Sequence, residues 1–183
     1  WSVDARWRTG SWSDPRPIPA LARRLAVWQL VYMYTLTGLQ KVGPAWSWSG
    51  GWRALYDAFL LPTWARYDLR GVVGAVAPLL SFSTWAAWWW ESLWVVLGLW
   101  LMARHPLAEG TWLARLRALD RWVGDLRVPF IVLGLITHGV LWLLMDLGPF
   151  SAITVVWYVA LWTDEDTARW RRWRGLPTPA PME

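Results

Sequence analysis

Apolar residues run in long blocks along this chain, and charged residues mark the edges of the blocks. The first block, Leu25 to Gln40, carries no charge and is flanked by Arg23 and Arg24 on one side and Lys41 on the other. It predicts a span over residues 21–41. Its apolar core is short of the ~20 residues a bilayer crossing needs, and the flanking cations can snorkel to close the gap. Further blocks predict spans over 84–102, 128–145 and 150–162, the last one short. Asp146-Leu147-Gly148-Pro149 forms a tight reversal between the last two.

The connector 42–83 is punctuated by Gly43-Pro44 and Gly50-Gly51. Arg53 to Leu61 predicts a short amphipathic helix stopped at Pro62. Val72 to Phe82 is apolar, too short to cross alone, and interrupted by Pro78, so it predicts a re-entrant or interfacial helix. Residues 1–20 predict a surface loop, because the prolines of Asp14-Pro15-Arg16-Pro17-Ile18-Pro19 forbid a regular helix. A helix is expected over Thr111 to Trp122, and residues 163–183 form a basic tail with a Pro-rich, disordered end. The predicted fold is all-α: a polytopic integral membrane bundle of about four transmembrane helices plus a re-entrant or interfacial helix.

Composition supports the membrane reading. A soluble domain of 183 residues is rarely 56% apolar with 21 tryptophans. The net charge of +5 could point to nucleic acid, but the arginines sit where they would anchor to lipid headgroups. Membrane lipid is therefore an expected partner and nucleic acid is not. Fourteen arginines fall in the N-terminal stretch, the 103–127 loop and the tail, against three in the 42–83 connector. The positive-inside rule then predicts that both termini are cytoplasmic, with Lys41 and Asp146 facing outward to periplasm or a lumen; a bacterial inner membrane is the expected location. The absence of cysteine excludes disulfides, thiolate metal sites, iron–sulfur clusters and c-type haem. The chain opens WSVDARW, without a methionine or signal-peptide pattern, as a processed product or one part of a longer protein would.

Three ionisable residues could carry chemistry. Lys41 is the only lysine; every other basic residue is arginine. It reads either as a snorkelling anchor or as a general base, since a desolvated amine can accept a proton and a guanidinium cannot. Glu91 lies inside a Trp-rich span and should face the bundle, as a carboxylate paired with an Arg or a Trp N–H or as a substrate or cofactor contact. His138 is the only histidine within a span. It reads as a hydrogen-bonded interior residue, with acid/base or quinone contact as the alternative. His105 sits at the far end of its span from any partner, so no metal is expected. Gln29 and Tyr32 share a side at helical spacing, so that face of the first span should meet protein.

The order of these features resembles the HTTM family, the membrane domain of vitamin K-dependent gamma-carboxylase and its bacterial relatives. Arg24, Gln29, Tyr32, Thr37-Gly38-Leu39-Gln40-Lys41-Val42, Trp46 and Gly50 carry the first block of the resemblance. Trp90-Glu91-Ser92-Leu93 through Leu101 carries the second, and Arg121 through His138 with Leu147-Gly148-Pro149-Phe150-Ser151 the third. The family's N-terminal spans and the carboxylases' soluble C-terminal region are not present, so the chain resembles the C-terminal half of such a domain. The resemblance implies that Lys41 is the base that deprotonates reduced vitamin K or menaquinone. Oxygen then adds, the quinone becomes an epoxide, and a glutamyl carbon is deprotonated and carboxylated. Gln29, Tyr32, Glu91 and His138 would line or support that pocket, and an N-terminal half or a larger membrane complex would be the partner. The alternative is a non-enzymatic membrane scaffold or accessory subunit.

Overall fold

A computed structural model describes residues 3–10, 20–104, 109–119, 122 and 124–176. Helix makes up 72% of the structure and no strand forms among the described residues, so the all-α expectation holds. Helix α1, Val3–Thr9, replaces part of the loop expected over 1–20. Its sequence, VDARWRT, contains neither proline nor glycine. The prolines that argued for a loop lie in 11–19, outside the described residues.

Helix α2 runs Ala20–Gln40, close to the predicted span. It stops before Gly43-Pro44, where a 3₁₀ turn, Pro44–Trp46, begins with proline in its first turn. A second turn, Trp48–Gly50, leads into Gly51 and Trp52, both at positive φ. Left-handed backbone is costly at a tryptophan. Here the ring is only 8% exposed and is held between Trp48 and Trp88. Helix α3, Ala54–Leu60, matches the expected amphipathic helix and ends before Pro62.

Helix α4, Ala77–Ser92, and helix α5, Trp94–Ala103, follow end to end through Leu93. This corrects two expectations. The apolar stretch Val72 to Phe82 makes no separate re-entrant helix, and the span begins at Ala77, not Thr84. Pro78 sits in the first turn of α4. There its missing N–H costs nothing and its fixed φ favours a helix start, so it initiates the element it was expected to break.

Helix α6 covers Arg127–Leu144. Helix α7, Phe150–Trp157, continues as a 3₁₀ turn over Tyr158–Leu161, and helix α8 covers Asp164–Trp173. The helix expected over Thr111 to Trp122 is a 3₁₀ segment, Trp112–Leu119. His105, Arg121 and the Pro-rich 177–183 lie outside the described residues. Two of the four predicted spans, Ala77–Ala103 and Arg127–Leu144, are long and apolar enough to cross a membrane. α2 has the length but not the apolarity, and Phe150–Leu161 is apolar but shorter.

The long helices alternate in direction. α2 packs on α4 and α5, α6 packs on α7, and the turn after α7 returns to α2. The core between them is aromatic. Trp94, Leu97 and Trp100 are fully buried, with Leu30, Val31 and Tyr34 of α2, Trp90, Phe130 and Tyr158 around them. A smaller cluster of Phe59, Val73 and Met145 ties the connector to the end of α6. An isolated bridge between Ala65 and Met145 closes it, with Arg66 N–H donating to the Leu144 carbonyl at 3.0 Å.

The other end of the bundle is fastened by Arg127. Its guanidinium pairs with Asp125, donates to Asp166 at 2.7 Å, and donates to the Leu161 carbonyl at 2.9 Å. Asp166 also completes a capping box with Thr163 at the start of α8. Asp166, at the acidic start of the tail, therefore joins the bundle. Burial alone would raise the Asp125 and Asp166 carboxyls. Hydrogen bonds from Arg127 and, for Asp166, from Thr163 outweigh it and hold both below the ordinary carboxylate range.

Two outcomes follow. A Cβ at Gly134 would run into the Tyr158 ring, whereas Gly139 faces open space. Gly134→Ala should lower stability by about 1–3 kcal/mol, the usual penalty of overpacking, and Gly139→Ala should not; thermal unfolding of both variants checks this. The depressed carboxyls stabilise the fold above their unfolded pKa, and that contribution is lost as pH falls through their folded values. Melting temperature should therefore drop below about pH 4, and Asp166→Asn should flatten part of that dependence.

Candidate functional site

The site begins where α2 ends. Lys41 is the first residue past the helix, and its N–H still donates to the Gly38 carbonyl at 3.2 Å. Gly38 is buried against α4. A Cβ there would lie 2.5 Å from the Ser92 backbone nitrogen, so only glycine permits this approach of the two helices. One helical turn away, that approach sets Lys41 opposite Glu91. The Lys41 ammonium donates to Glu91 Oε2, and the two side chains are only 18% and 12% exposed. The Trp46 ring centroid lies 4.6 Å from Lys41 Nζ, so the cation also has a π-face.

Ion pairs this far from water are kept by geometry, because each partner has lost hydration that only the other can replace. Three polar atoms at this end of the bundle are buried without a hydrogen-bond partner: Thr35 Oγ1, Ser92 Oγ and Trp52 Nε1. They are donors that the fold leaves unused.

A second polar group lies deeper. The Tyr34 hydroxyl is 2.7 Å from His138 Nε2 and 2.6 Å from the Tyr158 hydroxyl. All three residues are buried. Trp94 stacks on Tyr34 at 4.5 Å, and Trp90, the neighbour of Glu91, meets it edge-on at 4.8 Å. Trp90 Nε1 donates to the Phe130 carbonyl at 3.2 Å, which ties α4 to α6. His138 Nδ1 is buried and unpartnered. The arrangement can hold or pass a proton along His138, Tyr34 and Tyr158.

The five residues singled out from sequence thus separate. Lys41 and Glu91 meet directly. His138 is interior and hydrogen-bonded. Gln29 and Tyr32 do not join them: both are exposed, Tyr32 by 67%, on the outward side of α2. The inward stripe is Leu30, Val31, Tyr34 and Gly38. Two residues apart on a helix is nearly the opposite face, so the choice of Tyr32 over Tyr34 inverted the side. Tyr34 and Tyr158 were the residues missed. Gly38 and Gly134 were the available signals, each a small residue where another element approaches closely.

Two cavities are described, and Lys41 lines neither. The larger, about 580 Å³, lies at the opposite end of α2, and the smaller, about 150 Å³, lies beneath residues 59–70. Among the described residues no three His, Asp or Glu side chains gather as metal ligands would. No protein-family model, no curated protein and no solved structure matches the chain.

The pair's energetics can be measured directly. Lys41→Met or Glu91→Gln alone should cost up to about 3 kcal/mol, because each strands a largely buried partner. Removing both charges should cost less than the sum of the single changes. A double-mutant cycle on unfolding in detergent would read this coupling, and strict additivity would mean that the pair does not form.

Proposed function

We propose that the chain is an HTTM-type membrane-embedded protein whose reactive centre is Lys41 with Glu91, acting on a quinol. One observation carries this reading. Polar residues of the three resembling blocks lie inside one bundle: Lys41 of the first pairs with Glu91 of the second, and His138 of the third is bonded by Tyr34, which those blocks do not include. Residues serving only as anchors at span ends would have no reason to meet.

The residues present fit a quinone headgroup by donor chemistry. Thr35 Oγ1, Ser92 Oγ and Trp52 Nε1 are buried donors without partners, of the kind that a quinone oxygen accepts from. The Trp46 ring supplies an aromatic wall beside Lys41. When bound, a reduced quinone would supply the acidic hydroxyl and the oxygen-reactive ring. The chain's own task is the proton. As a neutral amine, Lys41 would accept the hydroxyl proton at Nζ, and the Glu91 carboxylate would steady the ammonium that results. The Trp46 ring covers one side of the Lys41 ammonium.

This reading places the spans in a lipid bilayer. Its support is the pattern of exposed side chains. On α6, Val132, Leu133, Leu135, Ile136, Val140 and Leu143 are all exposed, a surface that lipid tails would cover. Only 22% of the helix's most apolar window is buried. The arginine distribution supports an orientation with both termini cytoplasmic and Lys41 outward.

A second reading is an accessory subunit, or the half of a larger domain, packed against further helices. The outward position of Gln29 and Tyr32 favours it, since polar side chains on a membrane helix face protein partners.

Conversion of reduced menaquinone or vitamin K to its epoxide, by the protein in its native membrane with oxygen supplied, tests the enzyme reading. Lys41→Ala should reduce turnover by at least about 100-fold, the contribution of a positioned base. Epoxide formation that survives the substitution would remove Lys41 from the base role.

A further inference from the structure

The larger cavity is not part of the Lys41 site. It lies among the far end of α2, the end of α5, the start of α6 and the Tyr158–Leu161 turn. Its volume, about 580 Å³, falls in the roughly 300–1,000 Å³ range of small-molecule sites. Its inner wall is apolar: Val27, Val31, Gly98, Leu101 and Leu161. Among the described residues, every ionised side chain lining it is an arginine, namely Arg23, Arg24, Arg104 and Arg127.

The four arginines are not equivalent. Arg127 is spent on Asp125, Asp166 and the Leu161 carbonyl. Arg23 is exposed and donates to the Trp162 carbonyl at 3.1 Å, which uses hydrogen bonds but neutralises no charge. Arg104 lies over the Trp100 ring at 4.7 Å. Arg24 is exposed and has no acidic partner among the described residues.

A water-filled apolar cavity of this size would be unfavourable, and an anion without an apolar part would leave its inner wall wet. We infer that this cavity binds a phosphate-bearing lipid, its phosphate held at Arg23 and Arg24 and one chain laid against Val27, Val31 and Leu101. Guanidinium groups suit phosphate because they donate in a planar fork. The ligand would contact α2, α5, α6 and the turn after α7 at once, and so fasten one end of the bundle. This assignment does not depend on Lys41, which sits at the other end of α2.

The test is native mass spectrometry of the full chain in neutral detergent, titrated with phosphatidylglycerol, phosphatidylcholine and inorganic phosphate. The inference expects one tightly retained phosphatidylglycerol, weaker phosphatidylcholine and no retained inorganic phosphate. Arg24→Gln should weaken phosphatidylglycerol binding about tenfold, the worth of a charge-assisted hydrogen bond. Ala160→Phe, which fills the cavity and leaves every arginine in place, should weaken binding at least as much. Equal retention of the two lipids would overturn the charge recognition. Retention of inorganic phosphate as tight as that of lipid would make the site one for a free anion. Binding that ignores both substitutions would place the lipid elsewhere, and no retained lipid would overturn the inference outright.

Discussion

A lysine held away from water must have a counter-charge, and in this fold that requirement decides how the first long helix sits. Lys41 reaches Glu91 only because Gly38 lets α2 lie against the backbone of α4 at Ser92. That contact sets the depth and rotation of α2. With the rotation set, Tyr34 points into the core, where Trp94 stacks on it and His138 and Tyr158 accept or donate to its hydroxyl. The ion pair, the aromatic core and the tyrosine–histidine group are therefore consequences of one helix packing. At the other end Arg127 does the corresponding work, holding α8 and the close of α7 through Asp166 and the Leu161 carbonyl.

Much of the fold is legible in the chain. Long apolar blocks with arginine edges mark α2, the α4–α5 helix, α6 and α7, and the reversal at Asp146 to Pro149 separates the last two. Boundaries fail where one residue type has two meanings. Pro78 breaks a helix interior but starts a helix when it occupies the first turn, and nothing local distinguishes these. The acidic run at Asp164 to Asp166 reads as solvated until the buried Arg127 that it serves is placed in space.

The site is less legible, for a physical reason. α2 mixes apolar and polar residues around its circumference, so the pattern gives no clear amphipathic face to separate inward from outward positions. Polar residues are then a poor guide: Gln29 and Tyr32 face out, and Tyr34 faces in. Small residues guide better, since Gly38 and Gly134 mark where elements approach. The pairing of Lys41 with Glu91 joins residues fifty apart and has no local signal. Their charge in apolar surroundings singled out both residues without saying that they touch.

The single lysine also makes the central claim measurable without altering the protein. Labelling with ¹⁵N-lysine places one reporter, Lys41 Nζ, in an otherwise silent background. The account predicts one side-chain resonance that exchanges slowly with water and shifts when Glu91 is replaced by glutamine. It also predicts a further shift when reduced menaquinone is added. A resonance of a freely hydrated ammonium, indifferent to Glu91 and to the quinol, would contradict it.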